Sequence, residues 1–157
     1  MSNNNIVIAS DHAGFALKQS LVEYTNELGL QVEDLGTNSE ESVDYPDFAA
    51  RLACYMSKNK DTVGILICGS GIGMSIAANR FSFIRAALVR NTEDAVLCRQ
   101  HNNANVLILG GRITNKDDAR HILNAFLHTE FSGGRHTARV EKLSTLNDDI
   151  LTKENNL

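Results

Sequence analysis

The chain has 157 residues, 43% hydrophobic and 22% charged, which is typical of one globular domain with a sizeable core. Its net charge of −4 at pH 7 excludes a general attraction to nucleic acid or anionic membranes, so any anion must be bound locally. No apolar run approaches the roughly 20 residues of a transmembrane helix, and the first residues do not resemble a signal peptide. We therefore expect a single cytoplasmic domain, 1–157.

Five short apolar runs alternate along the chain with segments of helical spacing. This alternation predicts a parallel sheet covered by helices on both faces, which is a three-layer α/β/α sandwich. We expect a last helix at about 136–151 and a polar tail at 152–157, which has too few apolar residues to pack. The predicted strands are 6–9, 32–35, 63–68, 86–89 and 106–109.

Polar and glycine residues follow the first and third predicted strands. Asp11 and His12 come after the first strand, and Cys68 and residues 69–73 end and follow the third. Ligands of such folds bind beyond the carboxyl ends of the strands, so these residues are candidates for a site.

Gly69, Gly71 and Gly73 stand at alternate positions between a strand and a helix. Such a turn can direct backbone N–H groups at an anion, although a glycine turn without a ligand is an equal alternative. The run lacks the G-x-G-x-x-G of dinucleotide folds, and Glu33 and Asp34 are only ambiguous ribose-binding acids. A nucleotide site is therefore the weaker interpretation.

Cys68 ends a predicted strand just before a helix, where the helix dipole favours a thiolate that acts as a base. The alternative is a small buried hydrophobe, which is our interpretation of Cys54 and Cys98. Three cysteines without a C-x-x-C spacing predict reduced thiols rather than disulfides or a zinc site.

His101 lies near the end of the helix before the fifth strand, where it can act as an acid or simply interact with the helix dipole. Its neighbour Asn102 likewise has two interpretations, because it can belong to a site or simply cap the helix. His121 and His128 are better explained as surface or packing residues.

Arg112 follows the fifth strand, and Arg135 and Arg139 are four residues apart at the start of the last predicted helix, where they would share a face. Guanidinium groups suit bidentate contacts to phosphate, although single surface arginines are more often solvated. Three arginines beside glycine turns favour a phosphate clamp.

Taken together, the motifs resemble those of type B ribose-5-phosphate isomerases. The likeness runs from about residue 6 to 146 and keeps the family's order and spacing. The matching segments are Ser-Asp-His-Ala-Gly at 10–14, Asp-Tyr-Pro-Asp at 44–47, Cys-Gly-Ser-Gly-Ile-Gly at 68–73, Arg-Gln-His-Asn at 99–102 and Gly-Gly-Arg-His at 133–136.

The resemblance implies an aldose–ketose isomerase that needs no metal or organic cofactor. Cys68 would move a proton between C1 and C2 through an enediolate, His101 would open the furanose ring, and Asp11 would bind hydroxyls and assist proton movement. In the other branch of the family a glutamate six positions later is the base, and this chain has Met74 there.

The resemblance also implies a substrate-binding set and an assembly. Family members are homodimers or dimers of dimers whose sites are completed by the partner subunit, which typically supplies His101, Asn102 or the arginines. The expected sheet order is 2-1-3-4-5. The implied binding residues are His12, Tyr45, Gly69, Ser70, Gly71, Ile72, Gly73, Asn102, Arg112, Arg135 and Arg139.

Two alternatives stay open. The first is a galactose-6-phosphate or allose-6-phosphate isomerase of the same superfamily; galactose enzymes divide their residues between two different subunits, whereas this chain carries the whole set. The second is a non-catalytic flavodoxin-like module or sugar-phosphate sensor that uses only the turn at 69–73.

Overall fold

The computed structural model describes residues 5–146. Five parallel strands form one sheet, and each predicted strand is confirmed within a residue or two at its ends. The strands are β1 (Asn5–Ser10), β2 (Val32–Asp34), β3 (Thr62–Cys68), β4 (Ala86–Leu88) and β5 (Val106–Gly110).

The strand order is 2-1-3-5-4, so the expected order 2-1-3-4-5 was wrong at one edge. β3 pairs directly with β5, with Gly64 opposite Val106 and Cys68 opposite Gly110, and β4 pairs with the far side of β5. The physical reason is burial: every residue of β5 is buried, whereas the three residues of β4 are only half-buried and suit an edge.

Helices cover both faces of the sheet, which confirms the three-layer α/β/α sandwich. α1, α4 and α5 pack on the face that carries Ile6 and Ile8, and α2 and α3 pack on the face that carries Val7 and Ala9. Because side chains alternate along a strand, one apolar run supplies both cores. The helices are α1 (Phe15–Glu27), α2 (Tyr45–Lys58), α3 (Ile72–Ala78), α4 (Thr92–Asn102), α5 (Lys116–His128) and α6 (Thr137–Leu143).

The last helix is shorter than predicted. α6 ends at Leu143, and the chain leaves the helix at Ser144 rather than continuing toward residue 151. No residue of α6 is buried, so packing does not extend it. The rest of the predicted helix and the polar tail at 152–157 lie outside the described residues.

The parallel sheet has two different edges. We call the edge where the strands end, at Ser10, Cys68 and Gly110, the carboxyl edge, and the opposite one the amino edge. Each crossover helix runs back against the strands, so it starts at the carboxyl edge and ends at the amino edge. In the described part of the chain no helix is both long and apolar enough to cross a membrane.

Candidate active site

A cleft of about 490 Å³ opens at the carboxyl edge. It is built from the segments that follow β1, β3 and β5, as the strand-end rule predicts. Most of the predicted site residues meet here. The lining residues are Asp11, His12, Ala13, Tyr45, Cys68, Gly69, Ser70, Gly73, Arg112 and Ile113.

Cys68 is the last residue of β3, and the residue is only 4% exposed. It packs on the face covered by α2 and α3, together with Met74, while its carbonyl accepts a bond of 2.8 Å from the N–H of Gly111. A methyl group on Gly111 would lie 2.6 Å from the carbonyl oxygen of Ala13, so this glycine lets the loops after β1 and β5 close around the thiol.

Asp11 is held rigidly beside β3. Its N–H donates to the carbonyl of Ile67 over 3.1 Å, and its Oδ1 accepts from the N–H groups of Ala13 at 2.9 Å and Gly14 at 3.0 Å. The residue as a whole is 6% exposed. The side chain therefore acts as the cap of the short 3-10 helix His12–Gly14 and presents a fixed carboxylate at the cleft.

The turn at 69–73 joins β3 to α3. Gly71 has φ of 79°, which favours glycine, and a methyl group there would lie 2.5 Å from Cδ1 of Leu88. A methyl group on Gly73 would lie 2.7 Å from Cζ of Tyr45. The Oγ of Ser70 accepts from the N–H of Ile72 over 3.2 Å. The glycines thus allow the backbone itself to line the cleft.

Three polar side chains complete the lining of the cleft. The Nδ1 of His12 lies 3.2 Å from both the backbone N and the backbone O of Val43, which fixes the ring. Tyr45 begins α2 and is 38% exposed. Arg112 donates its backbone N–H to Gly69 over 3.0 Å, and its side chain is the only exposed guanidinium among the residues that line this cleft.

His101, Asn102, Arg135 and Arg139 are not brought to this cleft. His101 and Asn102 end α4, which starts at the carboxyl edge and spans 11 residues, or about 16 Å, toward the amino edge. α4 also packs on the opposite face of the sheet from Cys68. Within one chain, the predicted residues therefore form two separate groups.

The second group, which we call the histidine cluster, consists of His101, Arg135, His136 and Arg139 at the amino edge. The rings of His101 and His136 are stacked, and Nε of Arg135 donates to Nε2 of His136 over 3.4 Å. Desolvation and the positive charges of His101, Arg135 and Arg139 lower the pKa of His136. The cluster concentrates cationic groups and suits a phosphate.

One expectation for this region was wrong, and one residue was missed. Arg135 precedes α6, in a 3-10 turn, so it does not share a face of one α-helix with Arg139. The sequence also missed His136, because its stacking on His101 depends on how a distant segment returns to α4. Asn102 borders a separate cleft of about 520 Å³, which Leu143 and Leu146 also line.

In the described part of the chain, no group of three His, Cys, Asp or Glu side chains is placed to hold a metal ion.

The model of the Ribose/Galactose Isomerase family matches residues 6–143. The chain belongs to this family.

Individual relatives agree with this membership. The ribose-5-phosphate isomerase B of Escherichia coli is 43% identical over 141 residues, covering 90% of this chain and 95% of that protein. The crystal structure of a ribose 5-phosphate isomerase from Thermotoga maritima superimposes with a TM-score of 0.89 at 50% identity, covering 91% of this chain and 99% of that one. The Mycoplasma genitalium enzyme, solved with bound ribulose-5-phosphate, has a TM-score of 0.85 at 42% identity and covers 99% of both chains.

Proposed function

We propose that the chain is an aldose–ketose isomerase that interconverts ribose 5-phosphate and ribulose 5-phosphate, as in the pentose phosphate pathway. The observation that carries the proposal is the cleft at the carboxyl edge, where Cys68, Asp11 and Arg112 meet the glycine turn. An isomerase needs a base, a place for negative charge and a phosphate ligand, and this cleft offers a candidate for each. The family membership and the names of the relatives support the same substrate.

In the proposed mechanism Cys68 is the base. Its thiolate takes the proton from C2 of the open-chain aldose, which gives an enediolate intermediate. The same group then returns the proton to C1, and the ketose is formed. The backbone N–H groups of residues 69–73 stabilise the negative charge that develops on the enediolate oxygens. Asp11, with its carboxyl already fixed by two backbone bonds, binds the sugar hydroxyls and helps to move the hydroxyl proton. Met74 has no proton-accepting group, so it offers no alternative base.

His101 is the proposed acid that opens the furanose ring, and Asn102 contacts the same end of the sugar. The proposed phosphate ligands are His12, Arg112, Arg135 and Arg139, while Tyr45 and Gly73 border the sugar. His101 lies at the amino edge and Cys68 at the carboxyl edge of one chain. In the proposed site these two residues therefore come from different subunits.

We therefore propose a homodimer, or a dimer of dimers, in which the histidine cluster of one subunit covers the cleft of its partner. A two-fold axis would build two such sites from one contact, because the same surfaces meet twice. Two apolar side chains on α3 support an interface beside the cleft: Ile72 is 51% exposed and Ile76, one turn later, is 64% exposed. An apolar stripe of this kind is typical of a surface that another subunit covers.

We also propose that residues 1–157 act as one catalytic domain in the cytoplasm. The base must remain a free thiol, and a reducing compartment keeps it so. No cofactor enters the proposed chemistry, because proton transfer alone accomplishes the isomerisation.

The nearest alternative substrates are galactose 6-phosphate and allose 6-phosphate, which are one carbon longer. A different class, a sugar-phosphate or nucleotide binding module without catalysis, would have no use for Cys68 in the cleft. The test is turnover of ribose 5-phosphate, allose 6-phosphate and galactose 6-phosphate by purified protein before and after treatment with a chelator. We expect fast conversion of ribose 5-phosphate that survives the chelator. Preference for a hexose phosphate would mean that the substrate is a hexose phosphate and not ribose 5-phosphate. No conversion of any of the three sugar phosphates would refute the proposal that the chain is an isomerase.

A further inference from the structure

Arg99 lies two residues before His101 on α4 and is about half-buried. Its Nε donates to the carbonyl of Thr129 over 3.2 Å, and its Nη1 donates to the carbonyl of Ala104. Its guanidinium carbon lies 5.3 Å from the centroid of the Phe126 ring. One side chain thus contacts the turn after α4, the end of α5 and the segment that follows α5.

These contacts hold both sides of the histidine stack. Ala104 belongs to the turn that ends α4 just after His101, and Thr129 begins the segment that leads to His136. A second bond joins the same two segments, from the N–H of Ser132 to the carbonyl of Gln100 over 3.0 Å. The relative placement of the two imidazoles therefore depends on how Arg99 fixes their backbones.

Packing alone does not explain an arginine at this position. Burial lowers the pKa of Arg99, which shows that its charge is held at a solvation cost. Among residues 5–146 the one ion pair is formed by Lys18 and Asp34. Arg99 therefore interacts with backbone carbonyls and not with a carboxylate. A methionine would fill similar volume without that cost, whereas the planar guanidinium reaches two carbonyls in different directions.

We infer that Arg99 is a positioning residue for the reaction: it orients His101 against His136 and so sets the efficiency of the ring-opening step. The inference rests on the proposed function, in which His101 is the ring-opening acid. A general acid must lie within hydrogen-bond reach of its target, and small misplacements lower the rate strongly.

The two directions of the proposed reaction separate ring opening from enediolate formation. Ribose 5-phosphate is mostly a closed ring and needs the acid. Ribulose 5-phosphate is an open chain, because its C5 oxygen carries the phosphate and cannot close a furanose. Loss of its C1 hydrogen, followed by proton NMR in D₂O, reports formation of the enediolate whenever the abstracted proton exchanges with solvent or moves to C2, and it does not need ring opening.

Arg99→Met should lower kcat for ribose 5-phosphate by about 10- to 100-fold, while loss of the C1 hydrogen from ribulose 5-phosphate changes by less than about threefold. Arg99→Lys keeps the charge and the aliphatic stem but reaches only one carbonyl, so it should fall between. If the methionine variant fails to fold, the two reactions are compared in Arg99→Lys instead.

Arg120→Met is the matched control. Arg120 is also half-buried, its guanidinium lies 5.2 Å from the ring of Tyr24, and its Nε has no hydrogen-bond partner among the described residues. It therefore tests the loss of an arginine–aromatic contact that does not hold the histidine stack. This variant should leave both reactions within about twofold of the unmodified protein.

A double-variant cycle with His101→Ala tests whether Arg99 acts through His101. If it does, Arg99→Met costs little further rate once His101 is gone. Equal losses in both reactions, full additivity with His101→Ala, or the same pattern in Arg120→Met would each overturn the inference. If the unmodified protein performs neither reaction, the proposed function itself has failed, and that result is distinct from these.

Discussion

The rings of His101 and His136 lie face to face, with their centroids 4.4 Å apart and 13° between their planes. One ring comes from the end of α4 and the other from the turn before α6, so the stack joins two segments that are distant in sequence. Desolvation, and after it the positive charges of His101, Arg135 and Arg139, lower the pKa of His136. The pH dependence that we expect of the fold follows from this lowered pKa.

Stability should fall as the pH drops below about 6.5, the ordinary value for histidine, because the pKa of His136 is lowered in the folded protein. The unfolded chain then takes up the proton first, so acid favours unfolding until His136 of the folded protein is protonated as well. The measurement is the urea midpoint from pH 7.5 to 5. His136→Gln should show a smaller loss than the unmodified protein, and identical slopes in the two proteins would contradict the explanation.

Asp34→Asn should destabilise the fold by about 2 to 4 kcal/mol, because it leaves the ammonium of Lys18 without its counter-charge. The side chain of Lys18 is fully buried and that of Asp34 is 27% exposed, and the pair joins α1 to the end of β2. Urea unfolding measures the effect. Glu33→Gln, one residue away and exposed, is the control and should change stability by less than about 0.5 kcal/mol. Equal losses of unfolding free energy in both variants would show that the ion pair between Lys18 and Asp34 does not stabilise the fold.

The cysteines should differ in their reaction with iodoacetamide. Burial raises the pKa of the Cys98 thiol to about 11, so little thiolate is present at pH 7.5. Cys54 is exposed and should be modified well before Cys98. Peptide mass spectrometry over time gives the order, and urea-unfolded protein, in which the environments are lost, should show comparable rates. Modification of Cys98 as fast as Cys54 in the folded protein would contradict the assigned burial.

Two strongly impaired variants should restore activity when they share a dimer. Cys68→Ser removes the proposed base and His101→Ala the proposed acid, and the two groups lie at opposite edges of one chain. In a mixed dimer one site carries both changes and the other carries neither, so random co-expression should recover about a quarter of the activity. Differently tagged copies allow the mixed dimer to be purified and assayed. Failure of a verified mixed dimer to recover activity would exclude a site shared between subunits.

The sequence predicted the carboxyl-edge cleft well, because that cleft depends on local order. Cys68 ends an apolar run, Asp11 and Arg112 follow one within three residues, and parallel strands bring such positions together at one edge. The glycine turn was predicted for the same reason. The position of Cys68 already favoured a base, and the arginines a phosphate clamp, whereas the role of Asp11 came from the resemblance. All of these roles stay predictions.

What the sequence did not predict depends on contacts between distant segments. The exchange of β4 and β5 reflects which apolar run competes better for the buried position beside β3. The stacking of His136 and the bonds of Arg99 arise where the segment after α5 returns to α4. The pairing of Lys18 with Asp34 likewise joins a helix to a strand, and helical spacing alone does not mark a lysine for burial.

The most direct test of the account is the conversion of ribose 5-phosphate to ribulose 5-phosphate by the Cys68→Ser variant, compared with the unmodified protein at equal concentration. A hydroxyl is a far weaker base than a thiolate at neutral pH, so turnover should fall by at least about a thousandfold while the bound substrate still protects the fold against heat. Turnover in the variant close to that of the unmodified protein would show that Cys68 is not the base, and it would contradict the account.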